Sequence, residues 1–592
     1  MSRPRRRGRA THEARANDAR GEREEPRARD APPSATADGV AARARWAAML
    51  GGAIASAALF AIYARVEAPW HALGFVVLAP WIVSLTSARS GAEAALSGAV
   101  MSAAFVGAVF PWLPGAAAGY ARASSPWGAW IAALALAPIF EPQLVVFAWA
   151  RHAARRSAGR AAAGAIGAAA YVATELLFPK LFFDTLGQGL YPAVDLRQAA
   201  DVAGVHGLTL LVVLVNEGVA EALDRWRRRD SGRAGPSDAR PPRWTLGGRI
   251  PVALAASLAA VAIATAYGAV RRRQIDGRAE ERAVTVGAVQ ANVTNYDKLR
   301  AEEGAYGAVR AVLDAHYALS DNLRARAPVD LLVWPETVYP TTFGAPKSDA
   351  GAELDAEIRA FVAARATPLV FGAYDLEGDR EYNAAFFVTP PGDVRPSSPS
   401  YRKRMLFPLT EWVPEAIDSP PLRSALPWTG RWRRGPGAAV IDVPLARGGA
   451  IAVAPLICYD VLFTDYVAEA AGKGADVLLT ISNDSWFPDE RAPRLHLISA
   501  AFRSIETRLP QLRATNSGIS AVITPTGEMT ATTPWERRDT LLARIPISAR
   551  ARPPLLIAGR PLAALLALGA IAIAWASRRR RAPASRRSAA DG

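Results

Sequence analysis

The sequence is poor in the residues that hold metals and redox centres: its 592 residues include six histidines and a single cysteine, Cys458. One cysteine excludes an intrachain disulfide framework and any cysteine-rich zinc or iron–sulfur site. The chain also lacks a Walker loop, a Gly-x-Gly-x-x-Gly turn after a strand, a His-Glu-x-x-His pair and a Gly-x-Ser-x-Gly elbow. We therefore expect neither a bound metal nor a cofactor.

Acidic residues are outnumbered by basic ones, 54 to 70, which gives a net charge of +16. Twelve arginines lie in residues 1–45, a stretch without apolar periodicity that is typical of a disordered tail. Others form short blocks beside apolar runs, as at 227–229 and 578–581. Basic blocks beside membrane spans orient a protein and contact anionic lipid. We therefore expect a membrane partner for this charge and no nucleic acid.

Long uncharged apolar runs crowd into residues 46–270 and return once near the C-terminus. A helix needs about 20 mostly apolar residues to cross about 30 Å of hydrocarbon. Eight runs approach or exceed this length, at 46–64, 68–88, 94–113, 123–150, 161–179, 202–222, 250–270 and 561–577. Between the last two, residues 280–550 have the composition of a soluble domain. The sequence therefore predicts a polytopic membrane protein of about eight helices that carries one large soluble domain.

The distribution of lysine and arginine orients these helices. With the N-terminus in the cytoplasm, the cytoplasmic segments, which include the basic tail 578–592, hold 31 lysines and arginines. On the opposite side, the short loops and the flanks of the soluble domain hold 12. Basic residues are enriched on the cytoplasmic side of membranes, so we predict that both termini are cytoplasmic and that 280–550 lies outside. Within the spans, Glu141 and Glu175 are carboxylates. Such residues are usually functional unless they are paired or lie near an interface.

Residues 280–550 alternate between strand-like and helical patterns. Helical spacing covers about 300–326 and 351–364, and apolar positions recur every three or four residues from 495 to 509, as in an amphipathic helix. Strands are predicted at 283–290, 329–334, 368–373, 449–457 and 476–482. This alternation predicts an α/β layered fold.

Polar side chains follow three of the predicted strands: Glu336, Cys458 and the pair Asn483-Asp484. Functional side chains of α/β folds cluster at the C-terminal ends of strands. A free cysteine is most often a small buried hydrophobe. As a nucleophile, Cys458 would need a base and a group that stabilises the developing negative charge. His316 or His496 could serve as the base, although no motif links either one to the cysteine.

Glu336 is the stronger candidate for the base, because it ends a hydrophobic strand, where loss of solvent favours uptake of a proton. Lys403 could supply the positive charge that an oxyanion requires. Considered singly, Glu336 could equally be a solvated strand end, and Lys403 a surface cation. The residues alone leave these alternatives open.

Three sequence blocks resemble, in their order, the Glu–Lys–Cys triad blocks of the nitrilase superfamily. They are Trp334-Pro335-Glu336-Thr337, then Tyr401-x-Lys403-x-x-Leu406-x-Pro408-x-x-Glu411-x-Val413-Pro414, then Ile457-Cys458-Tyr459-Asp460. Two further segments, 482–487 and 513–520, with the opening Val289-Gln290-x-Asn292, narrow the resemblance to its membrane-embedded branch, the apolipoprotein N-acyltransferase family. The resemblance covers about residues 46–580, including the order of spans, domain and last span.

The resemblance implies an α-β-β-α sandwich for the soluble domain and a two-step acyl transfer on the periplasmic side of the bacterial inner membrane. Glu336 would be the proton acceptor, Lys403 the oxyanion stabiliser and Cys458 the nucleophile. A phospholipid would donate the acyl chain to Cys458 as a thioester, and the α-amino group of a diacylglyceryl apolipoprotein would then accept it. Supporting or substrate-positioning roles are implied for Glu411, Tyr459, Asp460 and Asn483.

The chain departs from the family pattern at Leu409-Thr410, where Phe-Gly is usual, and at Leu299, where an aromatic residue is frequent. These departures bear on lipid access and substrate preference more than on the chemistry. Two other interpretations remain: a membrane-tethered amidase that uses the same triad on a soluble amide, and a non-enzymatic module that binds lipid or lipoprotein. The intact triad disfavours the module, and the seven spans disfavour the amidase, since an amidase needs one anchor.

Overall fold

The computed structural model describes residues 35–120, 125–178, 180–181, 184–231, 250–294, 296–390 and 400–558, together with positions 565 and 569. The predicted last span, 561–577, lies outside the described residues apart from those two positions. The basic tail 578–592 and residues 1–34 of the predicted N-terminal tail also lie outside them. The chain divides into two compact units, residues 1–46 and 47–592.

Among the described residues, nine α-helices precede the first strand: α1 (Ala35–Tyr63), α2 (Ala79–Ser84), α3 (Gly91–Val109), α4 (Leu113–Tyr120), α5 (Trp127–Phe140), α6 (Pro142–Ala158), α7 (Arg160–Leu177), α8 (Ala200–Ser231) and α9 (Val252–Asp276). We call this region the membrane part. Five of its helical segments are long and apolar enough to cross a membrane: Gly39–Tyr63, Trp70–Ser87, Gly91–Val109, Leu196–Arg227 and Val252–Asp276. The bent pair of α5 and α6 would make a sixth span. α7, which corresponds to the predicted fifth span, is not among the helices of the described residues that are long and apolar enough to cross a membrane. A polytopic membrane domain is thus confirmed, and the count of seven spans before the soluble domain stays a prediction.

The predicted fourth span, 123–150, is broken in the middle. α5 ends at Phe140, α6 begins at Pro142, and their axes differ by 49°. Proline has no N–H to continue a helix, and its ring clashes with the turn before it. The chain therefore leaves helical geometry at Glu141, with φ −125° and ψ 58°. The break leaves Glu141 buried inside the protein.

The residues after α9 fold into two sheets and the helices that cover them. The elements are β1 (Glu280–Gln290), α10 (Tyr296–Arg326), β2 (Leu331–Val333), β3 (Tyr339–Thr342), α11 (Asp349–Arg365), β4 (Leu369–Glu377), β5 (Arg380–Val388), β6 (Ser400–Arg402), α12 (Pro420–Ala425), β7 (Ile441–Pro444), β8 (Ala450–Ile457), α13 (Thr464–Gly472), β9 (Val477–Ser482), α14 (Arg491–Thr507), β10 (Gln511–Thr515), β11 (Ala521–Ile523), β12 (Met529–Thr532), β13 (Asp539–Ser548) and α15 (Pro554–Ala558). The first sheet has the order β13-β1-β2-β4-β5-β6, with β3 beside β4, and the second has the order β12-β11-β10-β9-β8-β7. The five predicted strands are present as β1, β2, β4, β8 and β9.

The two sheets pack face to face around an apolar core. Val286 and Val333 of the first sheet belong to the same buried cluster as Val453 and Leu479 of the second. α10 and α11 cover the outer face of the first sheet, where their apolar side chains surround Trp334. α13 and α14 cover the second sheet. The predicted α-β-β-α sandwich is therefore confirmed.

α14 is buried on both of its faces, which its amphipathic spacing does not predict. One face packs on the second sheet, and the other lies against α8 of the membrane part. Glu506 Oε1 accepts a hydrogen bond from Val205 N (2.8 Å), just after Gly204 interrupts the helical geometry of α8. Arg508, after the end of α14, pairs with Asp201 at 3.0 Å. The predicted apolar positions Ile498, Phe502 and Ile505 belong to the buried cluster of the membrane part, whereas Leu497, Ala500 and Ala501 belong to the core between the sheets.

Candidate active site

Cys458 begins a tight turn directly after β8. Its φ of +48° lies in the left-handed region, which costs a residue other than glycine on the order of 1–3 kcal/mol. The side chain of Asp460 holds this turn. Its Oδ2 accepts hydrogen bonds from Ile457 N (3.0 Å) and the Tyr401 hydroxyl (2.7 Å), and its Oδ1 accepts one from Met405 N (2.8 Å). The strand therefore ends abruptly, and the thiol lines a cavity.

Glu336 lies just beyond the end of β2, where its carboxylate accepts three hydrogen bonds. Oε1 accepts from Asn383 Nδ2 (2.7 Å) and from Lys403 Nζ (3.1 Å), and Oε2 accepts from the main-chain N of Asn483 (2.8 Å). Only 6% of the residue is exposed. Since all three partners are donors, the carboxylate acts here as an acceptor, as a base requires.

Lys403 follows β6 and is 2% exposed. Its Nζ donates to Glu336 Oε1 and to Glu411 Oε1 (2.8 Å), while Glu411 Oε2 accepts from Phe407 N (2.7 Å). Burial by itself lowers the pKa of Lys403, but the charges of Glu336 and Glu411 outweigh burial and hold the pKa well above its ordinary value. The ammonium therefore stays charged at neutral pH. Two of its three hydrogens are used in these contacts, so one remains for an oxygen that becomes negative.

Asn383 links the two carboxylates, although no sequence motif marks it. Its Nδ2 donates to Glu336 Oε1 and to Glu411 Oε1 (3.2 Å), and its main-chain oxygen accepts from Lys403 N (2.8 Å). These contacts arise from the antiparallel pairing of β5 with β6. The pairing joins segments that are separated along the chain, so a local pattern carries no signal for it.

The thiol of Cys458 is not activated at rest. Burial raises its pKa, the negative charge of Glu336 raises the pKa further, and the positive charge of Lys403 opposes both. At neutral pH the sulfur therefore carries its proton, and a base has to remove that proton during attack. In the described part of the chain, no group of three or more His, Cys, Asp or Glu residues could hold a metal ion.

Neither histidine that the sequence offers as a base is placed to take the thiol proton. His496 Nε2 faces the main-chain oxygen of Cys458 at 3.3 Å. On its other side, His496 Nδ1 lies 3.0 Å from an Arg513 guanidinium nitrogen and 3.3 Å from Asp484 Oδ1. His316 lies on α10, with its Nδ1 2.7 Å from Val312 O. Glu336 is therefore the base that the geometry favours.

Glu336, Lys403 and Cys458 line one cavity of about 260 Å³, together with Glu411, Tyr459 and Asn483. Aromatic side chains from the membrane part and from the sandwich form much of its wall: Phe110, Trp112, Phe407, Tyr459, Trp486 and Phe487. Trp112 packs edge-on against Phe487, with ring centroids 5.2 Å apart. Asp460, which holds the turn that begins at Cys458, is fully buried. The cavity is thus polar at the three candidate catalytic residues and aromatic around them.

Two family models match the chain in tandem. The model Apolipoprotein N-acyltransferase N-terminal domain matches residues 54–217, and Carbon-nitrogen hydrolase matches residues 270–552. The first lies in the membrane part, and the second contains the sandwich. The fold and the site therefore define a membrane protein with a carbon-nitrogen hydrolase domain.

Relatives narrow this class. An apolipoprotein N-acyltransferase of Bdellovibrio bacteriovorus is 30% identical over 374 residues, which are 61% of this chain and 63% of that protein. One of Pseudomonas putida is 34% identical over 266 residues, 44% of this chain and 49% of that protein. The matches thus span about half to five-eighths of the relatives' length. With both family models, they show that the chain is similar to apolipoprotein N-acyltransferases in the membrane part and in the sandwich. Among solved structures, Saccharomyces cerevisiae Nit3, of the nitrilase superfamily, is 18% identical with a TM-score of 0.33, covering 45% of this chain and 90% of that one.

Proposed function

We propose that this protein transfers a fatty acyl chain from a phospholipid to the free α-amino group of the N-terminal S-diacylglyceryl cysteine of an apolipoprotein. The observation that carries the proposal is the cavity in which Cys458, Glu336 and Lys403 meet inside an aromatic wall drawn from both parts of the chain. An amidase for soluble substrates would need the three residues but not the aromatic wall that Phe110 and Trp112 of the membrane part contribute. A lipid substrate needs both, because its ester has to reach the thiol from the bilayer.

In the first step, Glu336 accepts the proton of the Cys458 thiol, and the sulfur attacks the carbonyl carbon of the phospholipid ester. The carbonyl oxygen becomes an oxyanion, which the free hydrogen of the Lys403 ammonium stabilises. When the ester C–O bond breaks, Glu336 returns the proton to the leaving oxygen. The products are a thioester on Cys458 and a lysophospholipid.

In the second step, the neutral amine of the acceptor attacks the thioester carbonyl. Glu336 accepts a proton from the attacking nitrogen, and Lys403 again stabilises the oxyanion. The C–S bond then breaks, and the proton passes from Glu336 to the leaving sulfur of Cys458. The product is an amide on the apolipoprotein, and the two steps balance in atoms and protons without a further reactant.

The neighbours of these three residues support the chemistry through their positions. Asn383 and Glu411 hold the Lys403 ammonium and the Glu336 carboxylate in one network. Asp460 supports the turn that presents the thiol. A misplacement of about 1 Å can lower a rate on the order of 10²-fold. We therefore assign positioning roles to the predicted supporting residues, Glu411, Tyr459, Asp460 and Asn483.

We further propose that the protein spans the bacterial inner membrane with the sandwich on the periplasmic side and both termini in the cytoplasm. The excess of lysine and arginine in the segments on the other side of the predicted spans supports this orientation. A periplasmic site would meet both substrates at the outer surface of the same bilayer.

The experiment that tests this function separates its two steps. Purified protein is given phospholipid without an acceptor, and its mass and the released lysophospholipid are measured. We expect a single acyl group per chain, cleaved by hydroxylamine as a thioester is, and an equal amount of lysophospholipid. A diacylglyceryl peptide with a free amine should then discharge the adduct into an amide, whereas a peptide with a blocked amine should not.

Variants identify the groups responsible. Cys458→Ala should carry no adduct, and Glu336→Gln should fail to load, because the buried thiol keeps its proton without a base. Glu377→Gln is the matched control, since this glutamate is 60% exposed and pairs with Arg402. Acylation of the acceptor by Cys458→Ala would overturn the covalent mechanism. An adduct that water discharges rapidly without any amine would favour the membrane-tethered amidase instead.

A further inference from the structure

A second cavity adjoins the candidate base. It has a volume of about 160 Å³ and shares four described lining residues with the cavity that contains the thiol: Glu336, Thr337, Tyr374 and Asn483. The two steps of acyl transfer do not use this second cavity. Glu336 therefore lies at the junction of two cavities, of which the first contains the thiol of Cys458.

The two cavities differ in their surroundings. The described residues that line the second one all belong to the sandwich, and its wall mixes apolar side chains with amide and imidazole groups, as at Asn516 and His316. Three of its lining residues, Val293, Tyr296 and Pro340, are partly exposed. The second cavity therefore leads away from the aromatic wall and toward the surface of the sandwich.

The electrostatics of the second cavity favour an uncharged ligand. Its described lining residues include one carboxylate, that of Glu336, and neither lysine nor arginine. Burial lowers the pKa of His316 to about 4, so its imidazole carries no charge at neutral pH. An anionic group, such as the phosphate of a phospholipid, would meet a negative charge without a counter-charge in this wall. A neutral ligand that forms hydrogen bonds fits the cavity better.

Thr337 is held at the junction by its backbone. Its φ of +58° is unfavourable for a residue that is branched at Cβ. Strand β4 packs directly on this turn, since Gly372 N donates to Pro335 O (3.0 Å) and a Cβ atom at position 372 would lie 2.4 Å from Thr337 N. Strained residues of this kind cluster at functional sites. The hydroxyl of Thr337 makes no hydrogen bond to other described residues, so a ligand can use it.

Asn483 offers a donor at the same junction. Its Oδ1 faces two donors, Ser485 N and Asn516 Nδ2, each at 3.3 Å, and these contacts fix which end of the amide is the oxygen. The other end, Nδ2, has no acceptor in the described part of the chain. Because Asn483 N donates to Glu336 Oε2 (2.8 Å), this available donor lies beside the base.

One substrate of the proposed function matches both cavities. The acceptor carries two acyl chains on its cysteine side chain, a primary amine at its N-terminus and an uncharged peptide group on the other side of the same Cα. Its reactive amine therefore lies between an apolar part and a polypeptide. Glu336, which accepts a proton from that amine in the second step, likewise lies between an aromatic cavity and a polar one.

We propose that the acceptor spans the two cavities, with its diacylglyceryl group against the aromatic wall and its polypeptide in the second cavity. Thr337 and Asn483 bind its first peptide group. The carbonyl oxygen of that group accepts from Nδ2 of Asn483, and the hydroxyl of Thr337 donates to the same oxygen or accepts from the next N–H. The inference rests on the proposed function, which supplies the acceptor, and adds the path of its polypeptide.

Photocrosslinking in the wild-type protein tests this path. The protein is first treated with hydroxylamine, so that no thioester consumes the peptide. One diacylglyceryl peptide carries a diazirine on the residue after the cysteine, and a second carries it at the end of one acyl chain. Mass spectrometry identifies the labelled residues. We expect the first peptide to label the second cavity, at residues such as Tyr296, Pro340 or Asn516, and the second peptide to label the membrane part.

A first peptide that labels no residue of the second cavity overturns the proposed path. Failure of the proposed function is distinguishable from this outcome. In that case the wild-type protein forms neither the thioester nor the amide, whatever residues the peptides label.

Thr337→Val removes the hydroxyl but keeps the shape of the side chain. Discharge of a preformed thioester is measured at increasing peptide concentrations. The concentration that gives half the maximal rate should rise about three- to tenfold, the effect of one neutral hydrogen bond. The maximal rate should change less, whereas a merely structural disturbance of Glu336 would lower that rate instead.

Thr530→Val is the matched control, because Thr530 is exposed and is not among the described residues that line either cavity. Its half-saturating concentration should equal that of the wild type. A folded Thr337→Val protein that also keeps the wild-type value overturns the role of Thr337 in binding the peptide group. If Thr337→Val does not fold, the crosslinks of the wild-type protein decide.

Discussion

His496 holds the main-chain oxygen of Cys458, with its Nε2 3.3 Å from that oxygen. Behind the imidazole, Arg513 donates to His496 Nδ1 (3.0 Å) and to Asp484 Oδ2 (2.8 Å). Burial lowers the pKa of His496, and the charge of Arg513 lowers the pKa further. The carboxylate of Asp484, whose Oδ1 lies 3.3 Å from His496 Nδ1, opposes this lowering without reversing it. The imidazole is therefore neutral at neutral pH. A donor on α14 thus ties down the strained turn that carries the nucleophile.

We expect His496→Phe to slow thioester formation roughly 10- to 100-fold, because a displacement of the sulfur by about 1 Å can cost that much. His496→Gln, whose amide can still donate to the same oxygen, should keep most of the rate. The loss should appear in kcat with little change in KM for the phospholipid, since the histidine positions the nucleophile. Steady-state kinetics of both variants measure kcat and KM separately. Equal losses in the two variants would contradict a positioning role.

Lys403→Ala should lower the rate of acyl transfer by roughly 10²–10³, the effect expected when one oxyanion donor is removed. Lys403→Arg should rescue poorly, because the planar guanidinium places its charge differently from a compact ammonium. A phospholipid-to-lipopeptide assay measures both variants. Lys347→Ala, which removes an exposed lysine paired with Glu381, is the control. Near-full activity of Lys403→Ala would show that the oxyanion is stabilised by another group.

The stability of the sandwich should depend on pH through Asp460. Burial raises the pKa of Asp460 to about 6, although hydrogen bonds from Tyr401 and Ile457 N and the charge of Lys403 oppose the rise. The folded pKa lies above the unfolded value of about 3.9. The contribution of this group to stability is therefore complete below about pH 4 and is lost as the pH rises through 6.

Asp460→Asn removes this titration, so the free energy of unfolding of the wild type, relative to the variant, should fall by about 3 kcal/mol between pH 4 and pH 7. Melting temperatures of both proteins in the same detergent, measured across that range, test the difference. Because the two proteins are compared at each pH, other titrating groups cancel. A difference that stays constant with pH would show that Asp460 does not titrate in this range.

The proposed orientation predicts where a fused reporter will be active. An enzyme that folds only in the periplasm should be active when fused after residue 300 and inactive when fused after residue 585. A reporter that works only in the cytoplasm should give the opposite pattern. Activity of the periplasmic reporter at both positions would contradict a span between the sandwich and the C-terminal tail.

The sequence by itself determined the class of protein and the location of the candidate chemistry. Apolar run length indicates membrane helices because hydrocarbon thickness sets the required length. The alternation of strands and helices indicates parallel strands, whose C-terminal ends meet at one edge of a sheet. Cys458 and Asn483 directly follow predicted strands that are parallel neighbours in one sheet, so local patterns indicate their proximity. Glu336 follows a strand of the other sheet, and it reaches Asn483 only because the two sheets pack face to face.

Only the tertiary structure decided which partners these residues have. Asn383 reaches Glu336 because β5 pairs with β6, and Glu141 reaches Lys180 because the chain breaks before Pro142. The periodicity of α14 predicts one apolar face. In the structure that face packs against the membrane part, a second face with Ala500 and Ala501 packs on the sheet, and Glu506 accepts a hydrogen bond from α8. Local patterns record the preferences of neighbours along the chain. Contacts between distant segments depend on how whole elements pack, and a buried polar residue shows its partner only once that packing exists.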